Sequence, residues 1–368
     1  MTSLGLYVHV PFCRSKCDWC AFASEVGAGR SEAWLERILH QLETPPSHDS
    51  RWATVYLGGG TPSLLSPEQL DRLLAKIGER RLPEAELTLE ANPESLTAEH
   101  LAVLWQGGGT RLSLGIQTFQ EALLKRHGRP TRHRHLDHAR KLAEAWPGQL
   151  SLDLICGLSG QTAQGQRRDL ERALDWEPDH LSFYSLTVEP GTPLAAREAR
   201  HPSVLPGDKG DSWWLEGRDF LEAHGYAAYE VSNFARPGAE SRHNQRYWAL
   251  EPWWGVGPSA VSFLPSDRGW SYWTQTSALT PWLEGTPPDR EIPTALELAK
   301  DRLLAGLRRR TGVASAPWKP LLPETLKAWE GRILEQDGRL FLSRETFPFL
   351  DAFLRQAFGE LDGRPEFR

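Results

Sequence analysis

The stretch YVHVPFCRSKCDWCAF, residues 7–22, carries Cys13, Cys17 and Cys20 directly after a short strand pattern. These are three of the four cysteines in a chain of 368 residues, too few for the disulfide framework of a protein this large. The spacing C-x3-C-x2-C allows one loop to hold three irons of a cubane cluster and to leave the fourth iron open. The alternatives are three free thiols or a structural zinc site with His9 as fourth ligand, although zinc sites more often use paired C-x2-C knuckles.

The composition indicates a globular protein. Hydrophobic residues make up 40% of the chain, which is enough for a sizeable core. The formal net charge of −6 is mild and no long run of one sign occurs, so no surface typical of nucleic-acid or anionic-membrane binding is indicated. We find no signal peptide pattern and no stretch approaching the roughly 18 apolar residues that cross a bilayer. We therefore expect a cytoplasmic protein in a reducing compartment.

Strand and helix patterns alternate through the first half of the chain. Six successive βα units predict a parallel sheet with helices outside it, either open or curled into a barrel. Polar stretches follow four of the strands at the sheet edge where sites form: the cysteines, GGGTPS (58–63), EANPES (90–95) and QTF (117–119). The predicted strands are 4–10, 53–59, 86–92, 111–117, 149–158 and 180–188, and the predicted helices are roughly 31–43, 67–79, 97–106, 119–127, 132–145 and 165–176. Ser66–Pro67 and Thr97 are the predicted starts of two of these helices.

The pattern changes after Pro190. Residues 208–224 predict a helix, 226–234 predict a strand, and 238–264 are dense in Trp, Tyr, Gly, His and Asn. Residues 283–293 have linker composition, and 294–368 predict two helices and a short hairpin around Asp337–Gly338. We therefore expect three units: a core at 1–200, a barrel-covering extension at 201–285 and a small C-terminal domain at 286–368.

The cysteine stretch resembles the cluster loop of the radical S-adenosylmethionine (SAM) superfamily. In that family the loop binds a [4Fe–4S] cluster, SAM chelates the open iron, and one electron cleaves SAM to a 5′-deoxyadenosyl radical. The resemblance extends over nearly the whole chain and follows the order of the coproporphyrinogen dehydrogenase subgroup. It implies a partial (β/α)6 barrel of the TIM-like kind with a small C-terminal winged-helix-like domain. The further matching segments are YLGGGTPSLL (56–65), TLEANPES (88–95), RLSLGIQTF (111–119), RHGRPT (126–131), SLDLICGLSGQT (151–162), HLSFYSLTVEPGTPL (180–194) and YEVSNFARPGAESRHNQRYW (229–248).

The resemblance also implies a SAM site. A carboxylate such as Glu90 or Asp153 can accept from the ribose hydroxyls or pair with the sulfonium. Arg129 and Gln117 can bind the SAM carboxylate or the nucleoside. The alternative for each charged residue is a structural ion pair. Carried over by position, the expected SAM contacts are Tyr7, Trp19, Gly59, Gly60, Thr61, Glu90, Gln117, Arg129 and Asp153.

Two functions within the subgroup compete. One is oxygen-independent coproporphyrinogen III oxidase, which decarboxylates two propionates of a porphyrinogen in heme biosynthesis, and the other is a heme chaperone. The oxidases resemble C-x3-C-x2-C-x-C, whereas this chain has Phe22 in place of the fourth cysteine. They also carry a substantial N-terminal extension, and only twelve residues precede Cys13 here. Both features favour the chaperone, although Ala21 stands where Asp is usual in that group, and a preserved SAM site does not by itself establish turnover.

The segment HNQRYW (243–248) matches the H-N-x-x-Y-W motif of the chaperone relatives. In those relatives the motif is associated with heme. We therefore expect His243 to ligate heme or to lie beside it, with Tyr247, Trp248, Trp253 and Trp254 flanking the macrocycle. The alternative is that His243 and Asn244 are hydrogen-bonded residues that close the barrel, with the tryptophans as core. The expected cofactors are a [4Fe–4S] cluster, SAM and heme. The expected partners are heme-accepting proteins, respiratory-chain hemoproteins among them, and an electron donor for the cluster, with no nucleic acid and with membrane contact only through the acceptor.

The remaining imidazoles and the fourth thiol fit structural roles. His133, His135 and His138 lie at surface positions of one predicted helix. Cys156 lies within a predicted strand, where a small buried side chain is expected. The C-terminal unit resembles the family's winged-helix-like domain, and its balanced charge favours protein docking or a lid role over DNA binding.

Overall fold

The computed structural model describes residues 2–201 and 205–367, and strands and helices alternate through the first half of the chain as the sequence predicts. The strands are β1 (Thr2–Val10), β2 (Phe12–Cys13), β3 (Glu25–Val26), β4 (Ser50–Gly59), β5 (Arg81–Ala91), β6 (Arg111–Gln117), β7 (Gln149–Cys156), β8 (His180–Ser185), β9 (Ala227–Ala228), β10 (Asn233–Ala235), β11 (Trp253–Val256), β12 (Val261–Ser266), β13 (Gly269–Thr274), β14 (Asp289–Glu291), β15 (Val313–Ala314), β16 (Ile333–Gln336) and β17 (Arg339–Leu342). The α-helices are α1 (Ser31–Glu43), α2 (Pro67–Gly78), α3 (Ala98–Gln106), α4 (Glu121–Arg126), α5 (His133–Glu144), α6 (Ala163–Leu174), α7 (Pro193–Arg200), α8 (Asp208–Ala223), α9 (Arg242–Trp248), α10 (Leu279–Leu283), α11 (Ala295–Arg308), α12 (Pro323–Ala328) and α13 (Leu350–Asp362). Short 3-10 helices cover Pro62–Leu64, Phe347–Phe349 and Pro365–Phe367.

The central sheet has twelve strands in the order β14-β13-β12-β11-β1-β4-β5-β6-β7-β8-β10-β9. The six strands β1, β4, β5, β6, β7 and β8 are neighbours in chain order and all run parallel. Helices connect β4 through β8 as in successive βα units, so the α/β fold with a partial (β/α)6 barrel is confirmed. At the β1 edge, β11 pairs in parallel and β12–β14 follow antiparallel, while β10 and β9 extend the β8 edge.

Local sequence signals explain where the helices begin. Ser66 caps α2, and its hydroxyl accepts from the Gln69 backbone N–H at 3.1 Å while the Gln69 side chain accepts from the Ser66 N–H at 3.0 Å. Thr97 caps α3 in the same way with the His100 N–H. Such caps satisfy backbone donors that the first helical turn leaves free, and both predicted helix starts are confirmed.

The strands bury one face under the helices and turn a polar face inward. On β1, the side chains of Leu4, Leu6 and Val8 are almost completely buried and belong to the main hydrophobic core. The alternate residues, Tyr7 and His9, lie on the opposite face, as the period of two in a strand requires. In register across the sheet, Tyr7 lies beside Tyr56, Glu90 beside Ser113, and Asp153 beside Ser182. The interior of the curved sheet is therefore lined by polar and aromatic side chains.

The C-terminal region contains more structure than its sequence predicts. Strands β15–β17 form a separate antiparallel sheet, and the hairpin turns at Asp337 and Gly338, both with positive φ, as a two-residue turn favours. Helix α13 is a third helix that the sequence does not predict, and it packs on α11. The expected linker contains β14, which pairs with β13. A second hydrophobic cluster forms the core of this region. The boundaries of the three expected units stay a prediction. Within the described residues no helix is both long and apolar enough to cross a membrane.

Candidate functional site

The cysteine loop is shaped by β2 and by backbone hydrogen bonds. Cys13 ends β2, and its carbonyl accepts from the Gly27 N–H at 2.8 Å. The Cys20 N–H donates to the Cys17 carbonyl at 3.1 Å, which closes a turn between the last two thiols. All three thiols are free and line one cavity of about 410 Å³, hereafter the main cavity. Burial raises the pKa of Cys17 and Cys20, and the guanidinium of Arg129 opposes this rise at Cys17.

Asp18, between the second and third cysteines, connects the loop to the residue that follows α4 and to α7. Its Oδ1 accepts from His127 Nδ1 at 2.8 Å, and its Oδ2 pairs with Arg197 Nη1 of α7 at 2.6 Å. Its carbonyl also accepts from the Leu194 N–H at 2.9 Å. Burial alone would raise the pKa of Asp18, but the hydrogen bonds and charges of His127 and Arg197 outweigh it and hold that pKa below its usual value. This carboxylate therefore stays charged and keeps the thiols in place against the barrel.

The structure brings most of the predicted SAM contacts to the same cavity as the thiols. The residues come from the cysteine loop, from β4, β5, β6 and β7 or the turns that follow them, and from the loop after α4, as expected for a parallel sheet. Gln117 adopts a φ of 67°, a left-handed conformation that is uncommon for a residue other than glycine and often marks a functional site. The predicted contacts that line the main cavity are Trp19, Gly59, Gly60, Thr61, Glu90, Gln117, Arg129 and Asp153.

Arg129 is a buried cation at the junction of the thiols and the barrel interior. It is 7% exposed and donates to Cys17 Sγ at 3.8 Å, to Asn92 Oδ1 at 2.7 Å and to the Gly115 carbonyl. Its Nε is buried without a hydrogen-bond partner, and no ion pair to Arg129 occurs among residues 2–201 and 205–367. The structural ion pair considered from the sequence is therefore not formed. A buried guanidinium with an unused donor is suited to a carboxylate ligand.

Two partly buried carboxyl groups face the same cavity. Glu90 accepts from the Tyr56 hydroxyl at 2.7 Å and from the Gly59 N–H at 3.1 Å, and burial raises the pKa of Glu90 to about 7. Asp153 accepts from the Ser113 hydroxyl at 3.2 Å, and burial raises its pKa as well. Neither carboxyl forms a salt bridge in the part of the chain that the structure describes. Both can therefore take a cation or hydroxyl donors from a ligand.

The glycines at the end of β4 are required by close packing against the cysteine segment. Gly59 has a φ of 106°, and a Cβ there would lie 2.5 Å from the His9 ring. A Cβ on Gly60 would lie 2.6 Å from the Phe12 carbonyl oxygen. The next residue, Thr61, donates its hydroxyl to Cys13 Sγ at 3.7 Å. The glycine-rich segment thus brings its backbone and Thr61 against the first thiol.

The residues fit a three-cysteine cluster better than the zinc alternative. His9 was the expected fourth zinc ligand, but its Nε2 lies 2.8 Å from the Ala23 carbonyl and its Nδ1 lies 3.0 Å from the Tyr7 hydroxyl. Both nitrogens are engaged, so His9 is not free to complete a zinc site. Among the residues described, no three His, Cys, Asp or Glu side chains surround a position for a single ion. Three thiols around one cavity, with the buried guanidinium of Arg129 in contact with Cys17 Sγ, match a cluster that also accepts an anionic ligand.

Tyr7 and His243 do not line the main cavity. Tyr7 lies on a second cavity of about 490 Å³, hereafter the aromatic groove, which is lined chiefly by Tyr7, Phe22, Tyr247, Trp248, Trp253 and Leu304. His243 is 1% exposed; its Nδ1 pairs with the Thr54 hydroxyl at 2.8 Å and its Nε2 with the Tyr247 hydroxyl at 2.9 Å. Burial lowers the pKa of His243 to about 3. Both nitrogens of His243 are thus hydrogen-bonded within the protein, and its place as a heme ligand or beside the heme stays a prediction.

Several neighbours of the site could not be predicted from the sequence. The aromatic groove depends on α11 of the C-terminal region, which contributes Asp301, Leu304 and Ala305. The sequence had indicated Tyr247, Trp248 and Trp253 as aromatic neighbours of heme, but not the contribution of α11. The predictions for the other candidates are confirmed: Cys156 is fully buried in β7, and His133 and His138 are exposed on α5 with His135 partly so.

The chain is similar to known proteins over most of its length. The radical SAM superfamily model matches residues 7–173. Heme chaperone HemW of Lactococcus lactis is 35% identical over 316 residues, covering 83% of this chain and 82% of the relative. Radical S-adenosyl methionine domain-containing protein 1, mitochondrial, of Bos taurus is 35% identical over 390 aligned positions, covering 97% of this chain and 88% of the relative. The solved structure of coproporphyrinogen III oxidase (HemN) from Escherichia coli, a radical SAM enzyme, superposes with a TM-score of 0.81 at 22% identity, covering 98% of this chain and 90% of that chain, and thus shares the fold.

Proposed function

Because this chain belongs to the radical SAM superfamily and, within it, to the family of the heme chaperone HemW, we propose that it binds heme and delivers it to acceptor proteins. The observation that carries the proposal is the pair of adjoining cavities. One holds three thiols and buried charged groups, and the other is apolar and aromatic. Phe22, the residue in place of a fourth cysteine, lines both. A protein that carries heme beside a cluster needs a thiol-lined cavity for the cluster and an apolar, aromatic cavity for the heme.

In this proposal Cys13, Cys17 and Cys20 hold a [4Fe–4S] cluster and leave one iron for SAM. When bound, the cluster supplies one electron for cleavage of the sulfonium. The protein contributes positioning: Asp18 fixes the loop, and the hydroxyl of Thr61 donates to the first thiol. Donors to the sulfurs stabilise the thiolate form that iron requires.

The proposed SAM site uses the remaining groups of the main cavity. Arg129 supplies a donor for the SAM carboxylate, and Glu90 and Asp153 supply acceptors for the ribose hydroxyls or a negative charge for the sulfonium. Trp19, Gly59, Gly60 and Gln117 shape the walls. The barrel interior and the cysteine loop together line this cavity.

The raised pKa of Glu90 leads to a pH-dependent prediction. As the pH rises through about 7, Glu90 loses its proton and becomes a better acceptor and a counter-charge for the cationic ligand. We expect the SAM affinity of the reconstituted protein to rise about tenfold between acidic and alkaline pH, the effect of one charge-assisted hydrogen bond. Glu90→Gln should remove this component. Equilibrium dialysis with SAM across this pH range measures it, with Glu68→Gln on the exposed face of α2 as the control. An unchanged pH profile in Glu90→Gln would exclude the role of Glu90.

The partners and the location follow from the proposed role. The acceptors are heme-requiring proteins, those of the respiratory chain among them, and a cellular reductant donates the electron to the cluster. We place the protein in the cytoplasm, with membrane contact only through an acceptor. The mild net charge of −6 supports an absence of nucleic-acid partners.

Parallel assays on one preparation test the proposal against the oxidase alternative. The anaerobically reconstituted protein is titrated with hemin, and a second sample is incubated with coproporphyrinogen III, SAM and dithionite. We expect saturable heme binding and no protoporphyrinogen or carbon dioxide. Formation of both products would favour the oxidase, and a lack of saturable heme binding would reject the chaperone.

A further inference from the structure

The aromatic groove contains a tyrosine hydroxyl beside a histidine nitrogen that can accept its proton. Tyr7 is partly exposed to the groove, and its hydroxyl lies 3.0 Å from His9 Nδ1. The opposite ring nitrogen, His9 Nε2, lies 2.8 Å from the Ala23 carbonyl oxygen. Because a carbonyl can only accept, Nε2 carries the ring proton and Nδ1 presents its lone pair to Tyr7. The Tyr7 hydroxyl therefore donates to His9 Nδ1, so a proton acceptor is in place beside it. In the ligand-free protein burial and the charge of Glu90 raise the pKa of Tyr7 well above its usual value, and burial lowers the pKa of His9, so the phenolate depends on the bound iron for its stability.

The same groove contains a second tyrosine–histidine pair that is less suited to release a proton. The Tyr247 hydroxyl lies 2.9 Å from His243 Nε2, but His243 Nδ1 faces the Thr54 hydroxyl, which can either donate or accept. The tautomer of His243 is thus not set by its partners, as that of His9 is. Both histidines are buried, but His9 lines the groove and His243 does not. Tyr7 is therefore the better candidate for an anionic oxygen ligand.

The rest of the groove suits a flat apolar macrocycle. Trp248, Trp253 and Leu304 supply apolar surface from three different elements, and the cavity volume lies within the usual range for cofactor sites. Phe22 is 66% exposed, although it is a large apolar ring next to this surface. A planar apolar ligand in the groove would cover it and remove that ring from water.

We propose that the aromatic groove is the heme site and that the Tyr7 oxygen is an axial ligand of ferric heme iron. This inference rests on the proposed heme binding and names the site and the iron contact within it. On binding, the O–H bond of Tyr7 breaks, its proton passes to His9 Nδ1, and the phenolate electron pair forms the bond to iron. No oxidation or reduction is involved. Tyrosine oxygen is an established kind of heme ligand, as in catalase.

Hemin titration of four tyrosine variants, Tyr7→Phe, Tyr7→His, Tyr247→Phe and Tyr229→Phe, tests the assignment. The wild-type reconstituted protein should show a high-spin ferric heme with tyrosinate vibrations in its resonance Raman spectrum. Tyr7→Phe removes one hydroxyl, and we expect loss of the tyrosinate signature and about a 10- to 100-fold weaker heme affinity. Tyr7→His should replace the tyrosinate signature with that of an imidazole ligand. The matched control is Tyr229→Phe, which removes the hydroxyl of a tyrosine–histidine pair with His180 at 2.9 Å, outside the groove.

The possible outcomes separate the assignment from the proposed function. If the wild-type protein binds heme with a tyrosinate signature that Tyr7→Phe retains, the Tyr7 assignment is overturned and the chaperone role stands. Loss of the signature in Tyr247→Phe but not in Tyr7→Phe would transfer the ligand to the second pair and likewise overturn it. If the wild-type protein does not bind heme saturably, both proposals fail. Retained iron content and thermal unfolding of each variant establish that the change is local.

Discussion

Replacing Cys13, Cys17 and Cys20 together by alanine should leave the protein without bound iron and sulfide after anaerobic reconstitution. The three thiols line one cavity, and Asp18 fixes the loop that carries two of them. Since cluster irons require thiolate ligands, the variant has no means of holding the cluster. We expect the visible absorbance of the reconstituted protein to fall to the baseline, as measured together with iron and acid-labile sulfide.

The fourth cysteine provides the matched control. Cys156 is fully buried in β7, lies outside the main cavity, and burial raises its pKa to about 12. Cys156→Ala should therefore retain the full iron content. A triple variant that still binds four irons, or a Cys156 variant that loses them, would contradict the assignment of the cluster ligands.

The second large effect is expected at Arg129. Arg129→Met should weaken SAM binding about 10- to 100-fold, because the variant loses a buried charge-assisted contact with the SAM carboxylate. Part of this guanidinium already contacts Cys17, Asn92 and Gly115, and its Nε has no protein partner. Isothermal titration of SAM into reconstituted protein measures the change, and the iron content of the same samples corrects for any loss of cluster.

Arg14→Met is the control for this variant. Arg14 also lines the main cavity, but it is exposed and donates to the Glu94 carbonyl at 3.1 Å. Exposed charges contribute little because water screens them, so its SAM affinity should change by about threefold or less. Equal affinities of wild type and Arg129→Met at equal iron content would remove Arg129 from the SAM site.

The barrel and the main cavity could be predicted because their signals are local. Apolar side chains alternate along β1, and Ser66 and Thr97 mark two helix starts. Since parallel strands end at one edge of a sheet, the cysteines and the polar stretches after β4 and β5 had to meet there. This explains why eight of the nine expected SAM contacts line one cavity with the thiols.

Contacts between distant parts of the chain could not be predicted in the same way. The HNQRYW segment indicated that His243 matters, but not that its ring bonds Thr54, 189 positions earlier in the sequence. Likewise, nothing local in β1 reveals that β11 pairs with it and turns Trp253 toward Tyr7's groove. The hydrogen bond of Asp18 with His127 and its ion pair with Arg197 also connect residues that are far apart in the sequence. Such side-chain partners follow from the closed fold and not from the pattern of any one segment.

The central claim is that this protein delivers heme by contact with an acceptor. The most direct measurement is stopped-flow transfer of heme from the loaded protein to the apo form of a respiratory-chain hemoprotein at increasing acceptor concentration. Delivery within a complex predicts a transfer rate that rises with acceptor concentration and exceeds the rate of spontaneous heme release. A transfer rate that equals the spontaneous release rate at every acceptor concentration would contradict the chaperone role.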